Sequence, residues 1–113
     1  EAWIRAIRAG VADPNPYDGG DAGKLDLWTY DHYHGSTYGY YLEALVVFGA
    51  VTGRDPRSLG NTECSAFELG LSRAQAQALQ QVAFDELAKA AAVKPNPRVT
   101  DRRARLERCA APR

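Results

Sequence analysis

The sequence predicts a mostly α-helical chain, with three helices and at most one strand, that forms the last part of an α/β domain. Apolar residues recur every three or four positions over residues 1–9 and 72–93, which indicates helices with one buried face. Residues 37–52 are apolar on every side and therefore predict a buried helix. The other elements are too few to cover that helix, and a lone strand has no pairing partner, so we expect a sheet upstream.

The N-terminal third is expected to hold one short helix and the single strand. The helix covers residues 1–9, and Gly10 is a natural residue to end it. Residues 11–23 contain two prolines and three glycines, which predicts a loop. Residues 25–30 alternate apolar and polar at their start and are β-prone at their end, so they favour a strand.

The central helix has clear signals at both ends. Ser36 or Thr37 caps its start, it runs to about Thr52, and Gly53 follows. A helix of about 16 residues is short for a bilayer, which needs about 20. It also carries Glu43, so we expect no membrane span.

The C-terminal half is expected to contain one more long helix. A single turn over residues 56–59 follows an Asp-Pro pair, and a connector covers residues 61–70. The amphipathic helix over residues 72–93 ends before two prolines. We therefore expect residues 1–93 to be the domain portion and the Pro- and Arg-rich residues 94–113 to be a mobile tail.

Length and charge exclude several classes of function. The chain has 113 residues, enough for one small domain, with 14 basic and 14 acidic side chains. A formal net charge of zero argues against binding of nucleic acid or an anionic membrane by the whole domain. The arginine-rich tail lacks interleaved aromatic side chains that would stack on bases. Cys64 and Cys109 are compatible with one disulfide or with two unrelated thiols.

Asp31 and His34 lie three residues apart in the turn before the central helix. In such a turn the carboxylate can accept the imidazole Nδ1–H, which leaves Nε2 free to take a proton from a hydroxyl. The pair would supply two thirds of a Ser-His-Asp triad. The alternative is a structural hydrogen bond that tethers the loop to the helix.

The residues after this pair extend it into a longer pattern: Asp31-x-x-His34-x-Ser36-x-x-Gly39-x-Tyr41-Leu42-x-Ala44, followed by Thr52-Gly53-Arg54-x-Pro56. This pattern resembles the last block of the SGNH (GDSL-type) hydrolases. In that family an Asp-x-x-His-Pro-Ser-x-x-Gly sequence opens the final helix of a three-layer α/β/α fold. The resemblance covers roughly residues 25–60 and leaves the two ends of the chain unmatched.

The resemblance implies a serine ester hydrolase with His34 as general base and Asp31 as its orienting partner. It implies an acyl or acetyl ester substrate, no cofactor, and a periplasmic or secreted setting. It also implies a serine in a Gly-Asp-Ser block, and an oxyanion hole, both in the missing N-terminal portion of the same domain.

The sequence departs from the family pattern at two points. Gly35 stands where proline is usual, and no Gly-Asp-Ser motif is present. The serines of the chain are Ser36, Ser58, Ser65 and Ser72, and Ser36 is better explained as a helix cap. We therefore expect a fragment or processed chain that is inactive alone.

Other functions remain open from the residues themselves. Asp31, His32 and His34 could hold a metal ion, although zinc ligands normally come from separated elements. The chain could also be a non-catalytic helical module that buries its apolar helix against a partner protein. The aspartates between Asp13 and Asp21 do not predict a calcium loop, because Lys24 stands where an EF-hand needs glutamate.

The tyrosines around the candidate pair have two interpretations. They could line a carbohydrate or acyl pocket, or they could be core residues with a solvated hydroxyl, which we favour. The residues in question are Tyr30, Tyr33, Tyr38, Tyr40 and Tyr41.

Overall fold

The structure, a computed structural model, describes residues 1–15 and 17–94. Its helices are α1 (Ala2–Arg8), α2 (Thr37–Thr52), α3 (Cys64–Glu68) and α4 (Arg73–Lys89), with a 3₁₀ turn over Pro56–Leu59. This confirms the prediction of a mostly α-helical chain.

Local capping signals set the ends of the long helices. The Ser36 hydroxyl accepts the Gly39 N–H at 3.2 Å, and Gly53 ends α2 in the left-handed conformation, φ 69°. At the start of α4, Ser72 and Gln75 exchange hydrogen bonds as a capping box. Both helix starts are therefore determined by side chains that the sequence shows directly.

The predicted strand over residues 25–30 is wrong within the described part of the chain. Leu25 forms only an isolated bridge with Ala12, and Trp28 forms one with Gly35. The alternation is real, since Leu25 and Leu27 are buried and Asp26 is exposed. These leucines pack into the helical core, however, and no neighbouring strand extends the bridges.

Two further boundaries differ from expectation. The predicted connector over residues 61–70 contains α3, whose five residues are too few to show a helical repeat. Helix α4 ends at Lys89 rather than near Val93, because the chain turns at Ala91, φ 55°. The expected tail over residues 94–113 lies outside the described residues except for Lys94. Cys109 also lies outside them, and with it the question of a disulfide.

The core lies between the two long helices. Helix α2 packs on α4, and α1 packs against both. Leu27, Leu42 and Leu79 are at most 2% exposed at the centre of this core. The buried Gln80 side chain donates to the Tyr41 hydroxyl and to the Gly60 carbonyl, so a polar contact joins α4 to α2 and to the 3₁₀ turn.

One face of α2 is open to solvent, contrary to the expectation of a helix buried on all sides. Tyr40, Val47 and Val51 are 52%, 53% and 79% exposed. Together with Ala44 they lie three or four residues apart, which places them along one side of the helix. Among the described helices none combines the length and apolarity needed to cross a membrane, as predicted.

Candidate functional site

The candidate pair lies on a loop whose two ends are joined. Ser36 N–H donates to the Leu27 carbonyl at 2.8 Å, and the Ser36 hydroxyl donates to the Asp26 carbonyl at 2.7 Å. Trp28 packs on Trp3 of α1, with ring centroids 4.7 Å apart. The loop over residues 28–35 is therefore anchored both to the start of α2 and to α1.

Gly39 permits the close approach of α2 to this loop. A Cβ atom at position 39 would overlap the Leu27 carbonyl oxygen and would lie 2.9 Å from the Trp3 ring. Real Cβ atoms do not come so close to other heavy atoms. Steric contact with Leu27 and Trp3 therefore explains why this fold needs glycine at the last position of the Ser-x-x-Gly pattern.

Asp31 and His34 meet as the spacing predicts. His34 Nδ1 lies 2.7 Å from Asp31 Oδ2. The other carboxylate oxygen, Oδ1, accepts the Thr29 hydroxyl at 2.6 Å and the backbone N–H groups of Tyr33 and His34, both at 3.0 Å. Four hydrogen bonds therefore hold the Asp31 carboxylate in one orientation.

These hydrogen bonds keep Asp31 ionised. The Thr29 hydroxyl, then the His34 side chain and the backbone N–H groups of His34 and Tyr33, hold the pKa of the Asp31 carboxyl far below its usual range. An ionised carboxylate can only accept, so His34 Nδ1 carries the proton of their shared bond. In the neutral imidazole, Nε2 is then the unprotonated nitrogen, as a general base requires.

The imidazole of His34 is accessible. Its side chain is 59% exposed, and no other described residue hydrogen-bonds its ring. The Tyr33 ring contacts it edge-on, with centroids 4.9 Å apart. An accessible Nε2 is what proton transfer with an incoming hydroxyl needs.

His32 does not join this pair. Its backbone is left-handed, φ 54°, which is strained for a non-glycine residue. Its ring packs on Tyr17 from the preceding loop, with centroids 4.3 Å apart. Within the described ranges, Asp31, His32 and His34 do not converge as a three-ligand group.

Three carboxylates that sequence reasoning dismissed do lie together. Oxygens of Asp13, Asp18 and Asp21 are within 4.8 Å of one another. Asp13 is buried, and its two oxygens accept the N–H groups of Asn15 and Asp21 at 2.9 Å. These bonds lower the Asp13 pKa, so its charge is stabilised by the loop backbone itself.

The tyrosines divide between core and surface. Tyr41 is buried as expected, and its hydroxyl accepts a hydrogen bond from the Gln80 side chain. Burial raises the pKa of that hydroxyl well above its ordinary value. Tyr30, Tyr33 and Tyr40, by contrast, are 95%, 78% and 52% exposed, so the core interpretation is wrong for them.

None of the four serines contacts His34. The Ser36 hydroxyl is engaged as the cap of α2, as predicted, and Ser58 donates to the Asp55 carbonyl at 2.6 Å. Ser72 caps α4, and Ser65 lies exposed in α3. None of these serine hydroxyls is therefore positioned to donate to the His34 imidazole.

Comparisons of the chain with protein-family models, with curated proteins and with solved structures find no match.

Sequence reasoning missed two residues near the pair. Thr29 bonds the Asp31 carboxylate, and the Thr-x-Asp spacing is a local signal that could have indicated it. Tyr17 covers His32 from 15 residues away, and no local pattern indicates such a contact.

Proposed function

We propose that this chain supplies the histidine base and the aspartate of a Ser-His-Asp triad in an ester hydrolase of the SGNH type. In this proposal the chain is the C-terminal portion of a three-layer α/β/α domain. The observation that carries it is the 2.7 Å contact between His34 Nδ1 and Asp31 Oδ2 on an accessible loop. The flanking Ser36 cap and the steric need for glycine at position 39 support the resemblance in the same segment.

The pair fits the chemistry of acyl transfer. Nε2 of His34 removes the proton of a serine hydroxyl as that oxygen attacks the ester carbonyl. Asp31 stabilises the imidazolium, which then protonates the leaving alcohol. Water releases the acyl group by the same steps, with His34 again acting as the base. No cofactor takes part in this sequence.

The serine is proposed to come from a preceding portion of the same domain. The apolar face of α2, formed by Tyr40, Ala44, Val47 and Val51, supports this, because such a face is normally covered by other protein. Tyr40 also lies against Gly35, the residue after His34, since a Cβ at Gly35 would be 3.5 Å from the Tyr40 ring. A segment that covers the face would therefore reach the candidate base.

Hydrolysis of p-nitrophenyl acetate tests the proposal. The 113-residue chain alone is expected to be inactive, and the protein that includes the polypeptide encoded directly before Glu1 is expected to be active. In the longer protein, His34→Ala and Asp31→Asn should each lower kcat by at least about 10²-fold, the usual contribution of general base catalysis. His32→Ala is the matched control and should retain activity.

Three results would contradict the proposal. One is activity that survives in His34→Ala. Another is an encoded upstream sequence with no Gly-Asp-Ser block. The third is equal loss from His32→Ala and His34→Ala together with inhibition by a chelator, which would indicate a metal site instead. A fourth result would divide the proposal: the isolated chain hydrolyses the ester, and His34→Ala abolishes that hydrolysis. This would support the role of the Asp31–His34 pair but refute the claim that the serine lies in a preceding portion of the domain.

The exposed face of α2 also favours a second candidate, a non-catalytic helical module that binds a partner protein through this face. The variant Val47→Lys distinguishes the proposed hydrolase from the interaction module. In the proposed hydrolase it should prevent the preceding portion from covering α2 and so lower activity. Ala74→Lys, at an exposed position on α4, is the control. An interaction module would instead lose partner binding in Val47→Lys and have no esterase activity in any form.

A further inference from the structure

We propose that Thr29 is a positioning residue for the Asp31–His34 pair, holding the carboxylate so that its second oxygen faces the imidazole. The role of the pair itself rests on the proposed function, but the positioning can be measured in this chain alone.

The hydroxyl of Thr29 makes the shortest of the four contacts to Asp31. Its Oγ1 lies 2.6 Å from Asp31 Oδ1, against 2.7 Å for His34 Nδ1 and 3.0 Å for each backbone N–H. In the described part of the chain, Thr29 and His34 are the two side chains that bond this carboxylate. They bond opposite oxygens, so Thr29 anchors one oxygen while the other serves the base.

The backbone of Thr29 holds the same loop. Its N–H donates to the His34 carbonyl at 2.9 Å, and its carbonyl accepts the His32 N–H at 3.0 Å. Thr29 therefore contacts the loop at three points, of which only the hydroxyl reaches the carboxylate. Replacing the hydroxyl alone leaves the two backbone bonds available to preserve the turn.

The orientation of this carboxylate needs support because the site is open. The Asp31 side chain is 34% exposed, so water competes for both of its oxygens. Rotation about the terminal torsion of an aspartate meets only a broad minimum. A side-chain donor on Oδ1, such as the Thr29 hydroxyl, restricts that rotation. The same hydroxyl makes the largest contribution to the lowered pKa of Asp31.

The test compares Thr29→Val with Thr29→Ser by NMR titration of the Asp31 carboxyl carbon and by hydrogen exchange of the His34 Nδ1–H. Thr29→Val keeps the branched shape and removes the hydroxyl. Thr52→Val is the matched control, because the Thr52 hydroxyl also makes a 2.6 Å bond, to the Phe48 carbonyl, away from the pair.

In Thr29→Val the Asp31 titration midpoint should rise toward the ordinary 3.8 without reaching it, since three donors remain. The His34 Nδ1–H should exchange faster. Thr29→Ser should keep both wild-type values, and Thr52→Val should leave both unchanged. A purely structural role for Thr29 would destabilise the fold without moving the Asp31 midpoint in the folded state.

An unchanged midpoint in Thr29→Val, or an equal shift in Thr52→Val, overturns the inference. A second measurement needs no Thr29 variant. The Thr29 hydroxyl proton should be protected from exchange in the wild type and lose that protection in Asp31→Ala, which removes the acceptor, and an unprotected wild-type proton overturns the inference. In the longer protein, hydrolysis that requires His34 but is unchanged by Thr29→Val would refute the positioning role while leaving the proposed function intact.

Discussion

Replacing Gly39 by alanine tests how the loop is held against α2. Gly39 is the third residue of α2, and its N–H donates to the capping Ser36 hydroxyl. The added methyl would overlap the Leu27 carbonyl oxygen and press on the Trp3 ring. Neither neighbour is the free end of a flexible side chain. One is the backbone oxygen of Leu27, a core residue that is 1% exposed, and the other is the aromatic ring of Trp3.

Two opposing effects decide the magnitude of the change. Alanine is better than glycine within a helix by at most about 1 kcal/mol. Forcing an extra carbon into a packed site costs typically about 1–3 kcal/mol. The contact with backbone at Leu27 favours the upper part of that range, so we expect Gly39→Ala to lower the free energy of unfolding by about 1–2 kcal/mol.

Urea unfolding followed by circular dichroism measures this loss, and thermal unfolding should show it as a fall of about 4–8 °C per kcal/mol. Gly49→Ala is the matched control in the same helix. There the added methyl meets the end of the Leu87 side chain, which is 3% exposed, whereas at position 39 it meets backbone. We expect Gly49→Ala to cost less than Gly39→Ala, because a side-chain end gives way more readily than a backbone carbonyl.

A Gly39→Ala variant as stable as the wild type, or more stable, would refute the reasoning. It would mean that α2 and the loop can separate at no cost, so that the geometry around Leu27 does not hold the Asp31–His34 loop. Equal destabilisation by Gly39→Ala and Gly49→Ala would point to a general intolerance of α2 to added volume instead.

Three further substitutions test separate contacts. Gln80→Ala should lower the free energy of unfolding by about 1–3 kcal/mol in urea, because the buried Tyr41 hydroxyl and the Gly60 carbonyl lose their donor; no change would show that water replaces it. Ser36→Ala should lower it by about 1 kcal/mol through loss of the α2 cap, while Ser36→Thr, whose hydroxyl can both cap α2 and donate to the Asp26 carbonyl, should lower it less. The lowered Asp31 pKa stabilises the folded state fully above the unfolded value of 3.8, and this stability is lost as pH falls through the folded pKa. Unfolding curves from about pH 5 down to about pH 2 should therefore be less pH-dependent in Asp31→Asn than in the wild type, and parallel curves would contradict this.

Much of the fold could be predicted from the sequence because its signals are local. Ser36 and Gly53 bound α2 through contacts with residues at most four positions away. The Asp31–His34 contact also spans only three residues, so a single turn is sufficient to form it. Helical spacing and capping are physical properties of a short segment, and they survive in any tertiary context that keeps the segment helical.

The tertiary structure decided what depends on distant residues. The alternation of residues 25–30 determined which side chains are buried, but a strand needs a pairing partner, and the described chain supplies only isolated bridges. Helix α2 is apolar all round in sequence, yet its burial depends on which neighbours are present, and Val47 and Val51 remain exposed. Packing of Tyr17 on His32 joins residues 15 positions apart. The sequence by itself therefore determined α1, α2, the start of α4 and the pairing of Asp31 with His34, because these require only neighbouring residues. Only the tertiary structure decided which faces are covered, because burial is a property of the whole assembled chain.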